Sequence, residues 1–178
     1  MFTVNYKSKD LFKQYMIATI LLGGNLGDRA AYLNFAIFHI QKDIGKIIQQ
    51  SKVYETEAWG GLSDRLYLNQ VLRVDTPLGP QALMAYLLDV ELKAGRKRTL
   101  KWGNRTLDLD ILFLEDQIVR EDNLQIPHPE LQHRRFVLTC LNEIDKDFKH
   151  PIIQQSIGDL LLACPDNLNT QIYNPKRV

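Results

Sequence analysis

The chain has 178 residues, of which 45% are hydrophobic and 24% are charged, and its formal net charge is +1. This is the balance of one ordinary globular domain, and it gives no support for a basic nucleic-acid coat or an acidic tail. The two cysteines, Cys140 and Cys164, match neither a disulfide framework nor a CxxC metal site, which indicates a reducing compartment.

We expect no targeting or membrane segment in this chain. Residues 1–15 mix lysines with scattered aromatic residues and lack the apolar core of a signal peptide. Met16 directly precedes the first apolar run, so we expect residues 1–15 to be an extension and residues 16–178 to form a single domain. No apolar run approaches the ~20 residues of a membrane helix. We therefore expect a cytoplasmic monomer that binds neither nucleic acid nor membranes.

Hydrophobic periodicity predicts six elements in the first two thirds of the chain. In order they are a strand (17–22), a helix (28–43), a strand (47–56), a strand (67–74), a helix (79–94) and a strand (106–114). This order is the ferredoxin-like split βαβ pattern, an α+β fold in which two helices cover one face of an antiparallel sheet. The remaining residues, 115–178, are expected to add two helices, near 134–141 and 156–163.

The last predicted strand carries two acidic residues at alternating positions. Asp108 and Asp110 point to the same side of a strand, about 6–7 Å apart at Cα, while Leu107, Leu109, Ile111 and Phe113 are expected to fill the other side. Neighbouring carboxylates raise each other's pKa, and a divalent cation relieves that conflict. Magnesium takes one or two carboxylates together with phosphate oxygens and water. The alternative is a pair of solvated aspartates on an edge strand.

A basic segment leads into this strand. Residues 95–105 contain five basic side chains among eleven, with glycines at 95 and 103. Arginines beside a metal-binding carboxylate pair suit phosphoryl transfer from a metal–nucleotide complex. A solvated charge run, or a nucleic-acid patch in which Trp102 stacks on a base, remains open at this point.

Other nucleotide and metal motifs do not fit. The glycine turn at 23–27 lacks the P-loop pattern, and Asn25 interrupts GxGxxG. His128, His133 and Cys140 lack the spacing of a tetrahedral zinc site. Tyr67 and Asn69 share one face of the third strand, and an aromatic plane with an amide suits a flat heterocycle, although core packing is the more common reason for such an aromatic residue.

Taken together, the motifs resemble the 6-hydroxymethyl-7,8-dihydropterin pyrophosphokinase family. The resemblance covers about residues 16–150. It rests on Gly23-x-Asn25-Leu26-Gly27, Ser51-x-x-Tyr54-x-Thr56, Tyr67-Leu68-Asn69, Glu91-x-x-x-Gly95-Arg96, Trp102-Gly103-x-Arg105-Thr106-Leu107-Asp108-Leu109-Asp110 and Ile126-Pro127-His128-Pro129 followed by Arg134 and Phe136. It implies transfer of pyrophosphate from ATP to the hydroxymethyl group of 6-hydroxymethyl-7,8-dihydropterin, with AMP as the second product.

The resemblance also implies roles for individual residues. Asp108 and Asp110 are expected to bind two magnesium ions, and Arg96 and Arg105 to contact phosphates and assist the transition state. The expected pterin contacts are Thr56, Glu57, Trp59, Gly60, Tyr67, Asn69 and Phe136. The expected ATP contacts are Met84, Glu91, Arg98, Trp102, Ile111, His128 and Arg134.

The chain departs from the family pattern at a few positions. The basic segment is about one residue shorter than usual, and Glu57 and Trp59 stand where the family has a proline and a leucine. The other function left open by the sequence is a noncatalytic ferredoxin-like module that binds nucleotide or RNA. Such a module would release no AMP and would tolerate loss of Asp110.

Overall fold

The computed structural model describes residues 15–60, 63–96 and 103–175. Predictions for Arg98 and Trp102, and for most of the extension, lie outside these residues. The described strands are β1 (Met16–Gly24), β2 (Lys46–Gln50), β3 (Tyr54–Thr56), β4 (Tyr67–Thr76), β5 (Asp108–Leu114), β6 (Val119–Glu121), β7 (Leu124–Ile126) and β8 (Thr170–Ile172). The described α-helices are α1 (Arg29–His39), α2 (Pro80–Lys93), α3 (Arg135–Asp145) and α4 (Ile157–Ala163).

The main sheet is antiparallel and has the order β5-β1-β4-β3-β8, with β2 also paired to β4. When β2 and β3 are counted together as the second core strand, this is the arrangement of a ferredoxin-like fold, so the predicted fold class is confirmed. β8 extends the sheet at one edge, and β6 and β7 form a separate two-stranded sheet.

Two predicted elements are divided in the structure. The predicted strand 47–56 is interrupted after Gln50 because the hydroxyl of Ser51 accepts a hydrogen bond from the backbone N–H of Val71 (3.0 Å), in place of a ladder carbonyl. The first predicted helix begins after Asp28, whose side chain accepts from Ala31 N–H (3.0 Å), and its last turn, Ile40–Ile44, is π-helical.

The two faces of the sheet are covered differently. On one face, α1 and α2 bury the main core, which includes Ile20, Leu72 and Leu87. On the other face, α3 and α4 pack over the middle of the sheet. The sequence assigned Phe113 to the first face together with Leu107, Leu109 and Ile111, and this is wrong for Phe113. A bulge in the pairing of β5 with β1 inserts Leu112, which turns Phe113 towards α3 and α4.

The middle position of α3 and α4 leaves the two ends of that face open. At one end, the first residues of β5 meet the last residues of β1 and the start of β4. Among the described residues, no helix combines the length and the apolar character needed to cross a bilayer.

Candidate active site

A cleft with about 550 Å³ of empty space opens where β1, β4 and β5 meet. Side chains from the sheet, from the segment after β3 and from the start of α3 line it. The lining residues are Leu21, Gly23, Thr56, Glu57, Trp59, Tyr67, Asn69, Arg105, Asp108, Asp110, Arg134 and Phe136. Residues that are far apart in the sequence, from Leu21 to Phe136, therefore meet in one site.

Asp108 and Asp110 both line this cleft, as their alternation on a strand predicts. Burial, reinforced by the negative charge of Asp108, raises the pKa of Asp110 to about 7. The carboxylate of Asp110 thus lies where it favours either a proton or an added positive charge.

Arginines occupy both oxygens of the Asp108 carboxylate. Nη1 of Arg96 lies 2.5 Å from Oδ1, and Nη1 of Arg105 pairs with Oδ2. Arg96 also forms an ion pair with Glu91. The two arginines expected to contact phosphates are therefore held directly against an aspartate that is expected to bind metal.

Glu91 lies in α2 beneath this cluster and is only 2% exposed. Its Oε1 accepts a hydrogen bond from the backbone N–H of Leu109 (2.8 Å) as well as from Arg96. Burial raises the pKa of Glu91, and these hydrogen bonds oppose the rise. In this structure Glu91 joins α2 to β5 and anchors Arg96.

The predicted pterin contacts form one end of the cleft. Thr56, Glu57, Trp59, Tyr67, Asn69 and Phe136 all line it, and Gly60 lies in the adjoining turn with a φ of +84°. Asn69 and Thr56 are buried and directly bonded, because Asn69 Nδ2 donates to Thr56 Oγ1 at 2.7 Å. This pair joins β3 to β4 and fixes the amide of Asn69 at the cleft wall.

A cation–π contact connects the two ends of the cleft. The guanidinium carbon of Arg134 lies 4.6 Å from the ring centroid of Trp59, and Arg134 is 7% exposed. The electrostatic influence of Arg134 on Asp110 favours the ionised carboxylate. Trp59 thus belongs to the aromatic pocket and at the same time packs on a cation beside the acidic pair.

The remaining predicted ATP contacts in the described chain lie away from the cleft lining. Ile111 is 3% exposed and packs in the main core, and Met84 lies against the same core. His128 bonds to β5 through its backbone N–H, which donates to the carbonyl of Leu112 (3.0 Å). Burial, reinforced by the positive charge of Arg134, lowers the pKa of His128 to about 4, so its imidazole is neutral near pH 7.

The glycine turn at 23–27 holds the backbone of Arg105 in position, and the sequence did not predict this contact. Asn25 Oδ1 accepts from the backbone N–H of Arg105 (2.8 Å), and the backbone N–H of Asn25 donates to the Arg105 carbonyl (3.0 Å). A Cβ at Gly24 would lie 2.4 Å from the carbonyl oxygen of Thr106, so only glycine permits this approach. No local signal indicated this contact, because a turn motif carries no information about a partner 80 positions away.

Comparisons with known proteins show which family the chain is similar to. A family model described as 7,8-dihydro-6-hydroxymethylpterin-pyrophosphokinase (HPPK) matches residues 19–146. The chain is 40% identical over 138 residues to the 2-amino-4-hydroxy-6-hydroxymethyldihydropteridine pyrophosphokinase of Aquifex aeolicus, covering 78% of this chain and 86% of that protein. It is 36% identical over 129 residues to the Bacillus subtilis protein of the same name, covering 72% of this chain and 77% of that protein.

Solved structures resemble the fold at low sequence identity. The structure described as Plasmodium falciparum HPPK-DHPS wild type with SDX-DHP has a TM-score of 0.67 and 20% identity. The match covers 83% of this chain and 43% of that one, so this chain spans less than half of its length. At this identity the likeness bears on the fold alone, where it agrees with the sheet order described above.

Proposed function

Since the chain belongs to the 7,8-dihydro-6-hydroxymethylpterin-pyrophosphokinase family, we propose that its cleft is where the pyrophosphoryl group passes from ATP to the pterin. The enzyme carries out pyrophosphoryl transfer to hydroxymethyldihydropterin in folate biosynthesis, with ATP as co-substrate. One observation carries the proposal for the site. A single cleft combines an aromatic pocket containing a buried amide with two aspartates and two arginines.

The aromatic end of the cleft suits the pterin. Phe136 and Tyr67 offer flat apolar surface on which a bicyclic heterocycle can stack. Asn69 and Thr56 supply donor and acceptor groups within a buried wall, where such groups discriminate strongly between heterocycles. Glu57, Trp59 and Gly60 would close the pocket on its third side.

The charged end of the cleft suits the polyphosphate. Arg105 and Arg134 line it, and Arg96 reaches the same carboxylate as Arg105. Guanidinium groups form paired hydrogen bonds with phosphate oxygens and keep their charge at any physiological pH. Arg98 and Trp102 are proposed as further ATP contacts from the resemblance. Met84, Glu91, Ile111 and His128 would support the nucleotide from the adjoining side of β5.

The donor set also suits magnesium, which the family implies. Among the described residues, no cluster of three or more His, Cys, Asp or Glu side chains could hold a metal ion unaided. Magnesium does not need such a cluster, because it keeps water and takes phosphate oxygens beside one or two carboxylates. We propose that Asp108 and Asp110 hold two magnesium ions together with ATP. Bound there, the ions would neutralise charge on the transferring phosphates.

In the proposed reaction the hydroxymethyl oxygen of the pterin bonds to the β-phosphorus of ATP and loses its proton to solvent, while the bond from that phosphorus to the oxygen retained by AMP breaks. Asn69 and the aromatic walls orient the pterin, and Arg96 and Arg105 stabilise charge that develops on the transferred group. The buried cleft walls limit access of water, which would otherwise compete with the pterin hydroxyl.

The direct test mixes the protein with Mg-ATP and 6-hydroxymethyl-7,8-dihydropterin and separates the nucleotides by chromatography. AMP and a pterin diphosphate are expected in equal amounts, and EDTA should stop their formation. Release of ADP would mean attack at the γ-phosphorus and would overturn the assignment. A noncatalytic binding module would retain ATP unchanged.

Three further properties are proposed. We propose that the enzyme acts as a single domain over residues 16–178 and as a monomer. Size-exclusion chromatography with light scattering would test the monomer. Its proposed location is the cytoplasm, which cell fractionation would test.

A further inference from the structure

The carboxylate expected to bind metal already has two cationic partners. Arg96 lies against Oδ1 of Asp108, at 2.5 Å, and Arg105 pairs with Oδ2. All three side chains are largely withdrawn from solvent, with side-chain exposures of 18% for each arginine and 21% for the aspartate. A metal ion that approaches Asp108 therefore competes with two guanidinium groups, one on each carboxylate oxygen.

The charges around Asp108 balance within the described part of the chain. Three acidic groups, Glu91, Asp108 and Asp110, face three guanidinium groups, Arg96, Arg105 and Arg134. Adding a divalent cation alone would leave this half-buried cluster with excess positive charge. Adding ATP alone would leave it with excess negative charge. The charges of two divalent cations and of fully ionised ATP are equal and opposite, so adding both leaves the net charge of the cluster unchanged.

We propose that Arg96 and Arg105 act as internal counter-ions of Asp108, so that a divalent cation binds tightly only when nucleotide phosphates arrive to take the arginines. This inference rests on the proposed function, because it takes Asp108 as a metal ligand and ATP as the nucleotide. The metal and the two guanidinium groups compete for the same carboxylate oxygens. The phosphates end that competition by binding the guanidinium groups.

The exchange leaves each partner with an equivalent interaction. A guanidinium group forms the same paired, charge-assisted hydrogen bonds with a phosphate as with a carboxylate. Asp108 exchanges two arginines for a cation, which satisfies its charge equally well. Glu91 remains fixed to the backbone of Leu109 (2.8 Å), so it can keep Arg96 near the cleft while that arginine changes partner.

Metal binding and nucleotide binding should therefore be strongly coupled. Coupling between ligands typically amounts to about 5–150-fold in affinity. Removing one counter-ion should strengthen binding of the metal alone by about tenfold, and it should reduce the coupling by a similar factor because the coupling is reciprocal. An arginine that served only to bind phosphate would change nucleotide affinity and leave metal binding unaltered.

The test measures binding of Mn²⁺ by titration calorimetry and by electron paramagnetic resonance, with and without the α,β-methylene analogue of ATP. The buffer is held at pH 8 so that Asp110 is ionised. The wild-type protein should bind Mn²⁺ weakly alone and tightly with the analogue. Arg105→Gln and, independently, Arg96→Gln should bind Mn²⁺ alone about tenfold more tightly. Circular dichroism checks that each variant is folded.

The matched control is Arg73→Gln. Arg73 lies on the same face of the sheet and pairs with Asp145 at 3.2 Å, but it lines a separate cavity. This variant should bind Mn²⁺ as the wild type does. If all three variants bind Mn²⁺ alone more tightly by the same factor, the overall charge of the protein explains the effect and the proposed exchange is wrong.

Two other results are separately decisive. If Arg96→Gln and Arg105→Gln bind Mn²⁺ alone no more tightly than the wild type, the exchange is wrong while the metal site stands. If Asp108→Asn leaves binding of Mn²⁺ with the analogue unchanged, the metal assignment in the proposed function fails and the exchange fails with it.

Discussion

Two cavities lie on the same face of the sheet, one at each end, and they differ in how they hold charge. The cavity at the far end from the cleft, lined by Arg73 and Asp145, is the distal cavity. It is the larger of the two, with about 830 Å³ of empty space, whereas the cleft has about 550 Å³. Its floor is apolar, with Phe113, Leu141 and Phe148, and its arginine, Arg73, pairs with a single acidic group, Asp145, at 3.2 Å. In the cleft, neighbouring acids share their arginines, and burial intensifies their repulsion. Convergent charges that share partners, rather than cavity size, distinguish the candidate active site.

The largest expected effect comes from Asp110→Asn compared with Asp145→Asn. Loss of a metal-binding carboxylate removes several kcal/mol of transition-state stabilisation, so kcat should fall by about 10³-fold or more. The distal variant loses only a partly exposed ion pair, worth about 0–1 kcal/mol of folding stability, and should keep its turnover. Steady-state AMP formation measures both. Near wild-type turnover in Asp110→Asn would remove the basis for preferring the cleft.

The next effect compares Arg96→Ala with Arg73→Ala. Arg96 contacts Asp108 and Glu91, and loss of its charge from the transition state should lower kcat by about 10²–10³-fold. Arg73→Ala should leave kcat unchanged. Separate determination of kcat and KM makes the test specific, since a rise in KM alone would assign Arg96 to uniform substrate binding.

A third comparison uses pH in the metal-free protein. Burial and Asp108 raise the pKa of Asp110 to about 7, above the value of about 4 for an unfolded aspartate. The folded state therefore binds the proton more tightly, and stability contributed by the protonated form is lost as pH rises from about 4 to about 7.

Urea unfolding in EDTA at pH 5 and pH 8 measures this loss. Asp110→Asn cannot ionise, so relative to the wild type it should gain on the order of 2 kcal/mol between the two pH values. Asp145→Asn serves as the distal control and should follow the wild type. If the difference in unfolding free energy between Asp110→Asn and the wild type does not change with pH, burial and Asp108 do not raise the pKa of Asp110.

The acidic pair was predictable from the sequence because strand alternation is a local rule. Because side chains alternate along a strand, the spacing of Asp108 and Asp110 alone assigns both to one side of that strand. Phe113, three residues further on, was misassigned because the bulge at Leu112 arises from pairing with β1, nearly a hundred positions away. Local periodicity therefore predicted the acidic pair and failed where the partner strand set the register.

The scaffold around the acidic pair was not predictable in the same way. The sequence indicated a cationic segment but not that Arg96 and Arg105 would hold the two oxygens of one aspartate. The bond from Asn25 to Arg105 spans 80 positions, and a turn motif carries no information about such a partner. What sequence reasoning lacked was the set of long-range contacts that convert a charged segment into a site.

The smallest effect concerns Trp59, which links the aromatic and charged ends of the cleft. Trp59→Leu removes the ring on which Arg134 packs at 4.6 Å and introduces the residue that the family resemblance led us to expect at this position. A cation–π contact is worth about 0.5–2 kcal/mol, so the KM values for ATP and the pterin should rise by about two- to thirtyfold while kcat changes little.

Trp59→Phe is the matched control, because phenylalanine keeps an aromatic face for the guanidinium group. It should lie between the wild type and Trp59→Leu in both KM values. If phenylalanine and leucine give equal losses, ring size alone accounts for the effect and the cation has no part in it. If only the KM for the pterin rises, Trp59 is a wall of the pterin pocket that does not influence the nucleotide. A rise in both would mean that the two ends of the cleft are coupled through this stack, a connection that the apolar floor of the distal cavity does not offer.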